Sequence, residues 1–153
     1  MRLFVRILAL AVFALGGIAR AEDGAMTYYV QLIRGCDEDK PPLTSCQRAG
    51  PKLLATFRPV LKCKSFWEIC RKEVILSPGG TKRVRLANGR EVEIDLSTPN
   101  KRRVTSFQNG ELVDRTTSPI GDSMTITGGD RDQQSLWFIV VRRDKPQEPG
   151  REI

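Results

Sequence analysis

The stretch TKRVRLANGREVEIDL, residues 81–96, decides the fold because it holds two alternating polar and apolar runs around Asn88-Gly89. Both residues of an Asn-Gly pair accept a positive φ angle, so this pair between alternating runs is the strongest short-range signal of a β-hairpin. Alternate residues of a strand share a face, and Val84 must therefore share a face with Val92. Only a loop with an odd number of residues preserves that arrangement. We therefore predict the three-residue loop Ala87-Asn88-Gly89.

The predicted register gives this hairpin one apolar face and one charged face. On the charged face it pairs Arg85 with Glu91 and Arg83 with Glu93. Such surface pairs contribute a few tenths of a kcal/mol each, roughly. The basic cluster of residues 82–85 is therefore expected to be partly neutralised by the neighbouring strand.

Similar signals extend on both sides of this hairpin. A second Asn-Gly pair, Asn109-Gly110, predicts another hairpin, and Pro51 together with an apolar spacing typical of helices predicts a short helix that ends near Arg58, before Pro59. The predicted strands are Thr27–Arg34, Phe66–Leu76, Thr81–Leu86, Glu91–Leu96, Arg102–Phe107, Glu111–Thr116, Ser123–Thr127 and Leu136–Arg143. We therefore expect a mainly β fold, a small antiparallel β-sandwich or twisted meander of seven to eight strands with one short helix.

The amino-acid composition excludes several classes of protein and of catalytic site. The chain has 153 residues, 40% of them hydrophobic, which suits one packed domain and excludes a chain that is disordered throughout or forms a long coiled coil. It contains no His, which excludes a Ser-His-Asp triad, a Cys-His dyad and a His-ligated zinc site.

The first 21 residues, Met1–Ala21, have the pattern of a secretory signal peptide. Arg2 and Arg6 precede the apolar run Ile7–Ile18, and Ala19-Arg20-Ala21 matches the small-x-small cleavage pattern. An uncleaved N-terminal anchor is the alternative. Cleavage removes three arginines and no acidic residue, which lowers the net charge from +7 to +4.

If residues 1–21 are removed, the rest of the chain divides into three predicted segments. We predict a flexible mature N-terminus over residues 22–26, a single β-domain over 27–143 and a disordered tail over 144–153. No later stretch is apolar enough to span a membrane, so the mature protein is expected to be secreted or periplasmic.

Four cysteines lie in the mature chain, and an even number in an exported domain predicts two disulfides. Three connectivities are possible. Proximity in sequence favours Cys36–Cys46 with Cys63–Cys70, although the limit of about 7 Å between Cα atoms puts the second pair in question. A site with four cysteine ligands is disfavoured because no C-x-x-C spacing occurs.

Two basic runs and one aromatic strand are the candidate binding features. Lys101-Arg102-Arg103 and Arg142-Arg143, with Lys145, would form a polyanion patch if their strands lay side by side; the alternative is a set of solvated strand ends. Trp137 and Phe138 lie in a final strand without alternation. Such a strand is either covered on both faces or keeps one face for a partner.

These features predict an exported, non-catalytic binding or structural module that docks to an envelope or extracellular protein. The sites expected for docking are the aromatic terminal strand and an exposed sheet edge. The alternative is binding of a polyanion, an acidic glycan or lipid headgroup, through the basic runs. A small hydrolase that uses carboxylates is the third hypothesis. No cofactor, metal or nucleic acid is expected.

Overall fold

The computed structural model describes residues 24–42, 45–132 and 134–147. The predicted signal peptide, residues 1–21, lies outside the described residues, as do positions 148–153 of the predicted tail. The described part contains one helix and nine strands, which confirms the mainly β fold with one short helix. The elements are β1 (Met26–Cys36), β2 (Gln47–Arg48), α1 (Pro51–Phe57), β3 (Ser65–Leu76), β4 (Thr81–Arg85), β5 (Arg90–Asp95), β6 (Lys101–Gln108), β7 (Glu111–Pro119), β8 (Met124–Asp132) and β9 (Ser135–Arg142).

The strands form two antiparallel sheets. Sheet 1 has the order β2-β3-β1-β9-β8 and sheet 2 the order β4-β5-β6-β7. Their facing sides share one apolar core, in the manner of a β-sandwich. The buried residues of this core are Tyr28, Val30, Leu32, Val74, Leu76, Val92, Ile94, Leu96, Val104, Trp137, Ile139 and Val141.

The first Asn-Gly hairpin has the predicted register. Val84 lies opposite Val92, Arg85 opposite Glu91 and Arg83 opposite Glu93. Asn88 and Gly89 have φ angles of 56° and 69°, as a turn of this hand requires. Arg83 and Arg85 both form ion pairs with Glu91, at 2.7 and 3.2 Å. The charged face is therefore partly neutralised, with Arg83 reaching diagonally across the strand pair.

The final strand β9 lies inside sheet 1, between β1 and β8, and all eight of its residues are buried. One face meets sheet 2. The other face lies under α1, where Phe57 stacks on Phe138 and on Phe66 with ring centroids 5.2 and 5.3 Å apart. Burial on both faces explains why the sequence of β9 does not alternate.

The two predicted disulfides are absent, and all four cysteines are free. Cys63 precedes β3 and Cys70 lies inside it, so extended chain rising about 3.3 Å per residue separates them well beyond the distance a disulfide spans. Cys36 and Cys46 share a small buried cluster with Trp67. The Cys36 thiol donates instead to the carbonyl of Glu38, at 3.7 Å.

No helix in the described part of the chain is long and apolar enough to cross a membrane. Residues 144–147, which the sequence analysis assigns to a tail, lie against sheet 1, and Pro146 is buried. Met26, at the boundary of the predicted flexible N-terminus, is the first residue of β1.

Candidate functional site

A charged cleft lies on the outer face of sheet 1, beside the N-terminal end of α1. Its floor is formed by Gln31 of β1, Glu68 and Arg71 of β3, and Arg142 of β9. Gln31 points outward because its neighbours on either side in β1 face the shared core. Gln31, Glu68 and Arg142 are all buried, so polar side chains replace the apolar layer at this point.

On one side of the floor, both oxygens of the Glu68 carboxylate accept hydrogen bonds. Gln31 Nε2 donates to Glu68 Oε2 at 2.5 Å, and Arg71 donates from Nε to Oε1 at 2.7 Å and from Nη2 to Oε2 at 3.1 Å. The Arg71 guanidinium also makes long contacts, of 3.4–3.5 Å, with the carbonyls of Gln147 and Pro146. A buried carboxylate needs such partners, because an unpaired one costs several kcal/mol, roughly.

The Asp144 carboxylate is held on the other side of the floor. Arg142 Nε donates to Asp144 Oδ1 at 3.0 Å, Arg142 Nη2 donates to Oδ2, and Lys52 Nζ contacts the same oxygen at 3.0 Å. The Arg142 guanidinium holds the pKa of the Asp144 carboxyl well below its usual range, and Lys52 acts in the same direction. Arg142 Nη1 also lies 3.5 Å from Gln31 Oε1, which connects the two halves of the floor.

The walls of the cleft come from segments that sequence order separates widely. One wall contains Arg48 and the first residues of α1, Gly50–Lys52, and the other contains residues 145–147. Arg48 packs its guanidinium over the Trp67 ring at 4.8 Å. The enclosed volume is about 220 Å³, which is below the usual range for drug-sized ligands.

The described lining carries five basic side chains and two acidic ones. The basic residues are Arg48, Lys52, Arg71, Arg142 and Lys145, and the acidic residues are Glu68 and Asp144. The lining holds no Ser, Cys or Thr nucleophile. Both carboxylates form ion pairs, Glu68 with Arg71 and Asp144 with Arg142, which suits them to positioning guanidinium groups.

The two aromatic residues proposed for docking are buried. Trp137 lies between the sheets, with the guanidinium groups of Arg90 and Arg34 at 4.6 and 5.8 Å from its ring centroid. Phe138 lies under α1. Neither ring presents a surface to a partner, because their exposed fractions are 6% and 9%.

The two basic runs are divided among four environments. Arg102 is fully buried, donates to Thr125 Oγ1 and the Asp122 carbonyl, and lies 5.4 Å from the Tyr28 ring centroid. Arg143 contacts the same ring at 5.6 Å, so this pair is brought together. Arg103 forms an ion pair with Asp95 on β5, and Lys101 is exposed at the start of β6. The strands β6 and β9 belong to different sheets, and only Arg142 and Lys145 reach the cleft.

The open sheet edges form a second feature that the sequence analysis proposed for docking. In the described part of the chain, residues 72–76 of β3 pair with β1 alone, and β4 pairs with β5 alone. Lys72 shares the core-facing side of β3 with Val74 and Leu76, yet it is exposed. Lys82 has the same position beside Val84 on β4. An inward-facing lysine on an edge strand opposes the addition of another strand.

The sequence analysis missed six of the polar cleft residues as binding residues: Gln31, Arg48, Lys52, Glu68, Arg71 and Asp144. One signal was available, because Gln31 and Glu68 are each a single polar residue within an apolar stretch of a predicted strand. Pairing of β1 with β3 then brings them together. The contributions of α1 and of residues 144–147 depend on tertiary packing and carry no comparable signal.

Comparisons with known proteins found no match to this chain among family models, curated proteins or solved structures.

Proposed function

We propose that this protein is an exported, non-catalytic binding module that recognises an acidic group of a soluble ligand in the cleft on sheet 1. The observation that carries the proposal is the excess of basic over acidic side chains around one enclosed volume. The pattern of Met1–Ala21 supports export. The ligand's chemistry is that of an acidic glycan, which was one arm of the polyanion hypothesis, and its site is the cleft instead of the Lys101–Arg103 run.

The positions of the basic side chains support an anionic ligand. Glu68 and Asp144 neutralise part of the charge of Arg71 and Arg142 from within the protein. Arg48 and Lys145 are exposed lining residues, and they add positive charge to the cleft beside these ion pairs. Electrostatic attraction in a concave, partly desolvated site is stronger than on an open surface. The small volume favours one acidic sugar unit over a large planar ligand.

A titration of the mature chain, residues 22–153, with a short polyuronate tests the proposal by calorimetry. Binding is expected at low ionic strength and should weaken several-fold between about 0.02 and 0.2 M salt, since screening lengths fall from tens of Å to below ten. Lys145→Gln should weaken binding. Lys101→Gln is the matched control, since Lys101 is an exposed lysine outside the cleft. It should leave binding unchanged at low salt.

Three results would contradict the proposal. One is the absence of binding at low salt. Another is a loss of binding in Lys101→Gln or Arg143→Gln but not in Lys145→Gln, which would place the site outside the cleft. The third is binding to anionic lipid vesicles with no binding to polyuronate, which would make a membrane surface the ligand.

A further inference from the structure

The ligand position in this cleft is already occupied by a side chain of the protein. Asp144 lies over Arg142 with two parallel contacts, from Nε to Oδ1 and from Nη2 to Oδ2. This arrangement is the bidentate arginine–carboxylate pair, the strongest and most directional form of this interaction. Lys52 adds a third donor from α1.

The exposure of the two partners differs in an informative way. The Arg142 side chain is 7% exposed, whereas the Asp144 side chain is 44% exposed. The guanidinium is fixed in the sheet by its second contact to Gln31 and by the burial of β9. Asp144 follows the end of β9 and belongs to no strand. The carboxylate is therefore the partner that can leave, and solvent reaches the guanidinium from its side.

We infer that Asp144 is an internal competitor, and that the ligand group is a carboxylate which replaces it on Arg142 and Lys52. This inference rests on the proposed function and names both the class of acidic group and what limits its affinity. The Arg142 fork presents two donors in one plane, which matches the two oxygens of a carboxylate. A dianionic phosphate fits less well, because Glu68 lies just beyond Gln31 on the same floor.

The short separation of Asp144 from Arg142 in the chain determines how strongly Asp144 competes with a free ligand. Asp144 is two residues from Arg142, so its effective concentration at the guanidinium is that of a short tether, in the millimolar range or above by rough estimate. A free monocarboxylate must exceed that concentration to bind. A ligand that also contacts Arg48 or Lys145 gains the additional attraction needed to displace Asp144.

Removal of the internal carboxylate tests the inference. Asp144→Ala should bind acetate at least about tenfold more tightly than the wild type, a change of roughly 1.4 kcal/mol. We would measure the thermal midpoint and the Arg142 Nε–H resonance during titration with sodium acetate, with sodium chloride at equal ionic strength as reference. Inorganic phosphate should gain less than acetate. Glu111→Ala removes an equal charge from the exposed first residue of β7 and is the matched control.

Two further variants keep the test decisive. Asp144→Asn preserves the shape of the side chain if Asp144→Ala fails to fold, and it should also show the gain for acetate. Adding Arg142→Met to either variant should abolish that gain. An equal gain for acetate in Glu111→Ala would show a non-specific charge effect and overturn the inference.

The failure of this inference and that of the proposed function are distinguishable. If the wild type binds polyuronate while Asp144→Ala and Asp144→Asn bind acetate no more tightly than the wild type, the competitor is ruled out and the proposed function stands. If the variants bind acetate but the wild type binds no polyuronate, the carboxylate site on Arg142 and Lys52 is supported and the proposed function is wrong. If no protein binds either probe, both are wrong.

Discussion

At the scale of single residues, Asp95 illustrates how a largely buried carboxylate contributes to stability. It accepts hydrogen bonds from Ser97 N at 2.8 Å and from Thr81 Oγ1 at 3.1 Å, and it forms an ion pair with Arg103. These bonds, those from Ser97 first, hold the pKa of Asp95 well below its usual range. Asp95 thereby fixes β4, the turn after β5, and β6 relative to one another.

The lowered pKa of Asp95 predicts how stability depends on pH. A carboxyl whose folded-state pKa is depressed stabilises the native state above its unfolded-state pKa of about 3.9, and this contribution is lost as the pH falls toward the folded-state value. Asp95→Asn should therefore be clearly less stable than the wild type at pH 7 and should approach it near pH 2.5. Urea unfolding at both pH values measures this, with Glu111→Gln as an exposed control. A constant difference between Asp95→Asn and wild type at both pH values would contradict the prediction.

Arg102 shows what the sequence cannot reveal about a single side chain. Its position in Lys101-Arg102-Arg103 predicts an exposed cation, but β6 alternates, and Arg102 falls on the core-facing side with Val104. Its guanidinium is tolerated there because Thr125 Oγ1 and the Asp122 carbonyl accept its protons and the Tyr28 ring lies beside it. Arg103, on the opposite face, has a side chain that is 43% exposed and forms an ion pair with Asp95.

At the scale of the elements, the two Asn-Gly turns lie against each other. A β-carbon at Gly89 would stand 2.2 Å from Asn109 Oδ1, and Asn109 N donates to the Gly89 carbonyl at 2.8 Å. Gly110 also has a positive φ angle, of 83°, but there is open space where a β-carbon at this position would lie. The first turn therefore supports the second.

This contact predicts unequal effects of the same substitution at the two turns. Both Gly89→Ala and Gly110→Ala impose the strain of a left-handed alanine, about 1 kcal/mol. Gly89→Ala should cost more, by roughly another 1 kcal/mol, because Asn109 must also move. Equilibrium urea unfolding of the two variants measures the difference. Equal losses would show that the contact between the turns contributes nothing.

The inward-facing lysines at the open edges give a second element-scale prediction. Lys72 and Lys82 occupy positions where the pattern of their strands calls for an apolar residue. Lys72→Val with Lys82→Val should leave the fold intact and increase self-association, since the edges of β3 and β4 would then accept another strand. Light scattering over a concentration series measures this. Lys62→Val, which changes an exposed lysine before β3, should remain monomeric at the same concentrations.

The strands were the most predictable part of the molecule. Asn88-Gly89 and the alternation on either side determine their own register, because turn geometry and side-chain period act over a few residues. The cleft could not be predicted in the same way. Gln31, Glu68 and Arg142 meet only because β1 lies between β3 and β9, and that strand order depends on long-range packing.

At the scale of the whole molecule, stability rests on the two-sheet core and not on cross-links. About 130 residues follow Ala21, and a chain of that length buries roughly two-thirds of its surface on folding, which is enough for a stable domain without disulfides. All four cysteines are free, and burial is the main cause that raises the pKa of the Cys63 and Cys70 thiols. A raised pKa lowers the thiolate fraction, and the thiolate is the form that oxidises.

This arrangement predicts that a reductant does not change stability. The thermal midpoint of a chain spanning residues 22–153 should be the same with and without dithiothreitol, because no cross-link restricts the unfolded ensemble. Thiol titration in denaturant should give four reactive groups per chain, matching the four free cysteines. A Cys36→Ser, Cys46→Ser variant offers a control, since it removes the two buried thiols next to Trp67 and should respond to dithiothreitol as the wild type does. A midpoint that falls in reductant, together with two titratable thiols in its absence, would show that the chain carries a disulfide. Loss of that fall in the variant would show that the disulfide involves Cys36 or Cys46.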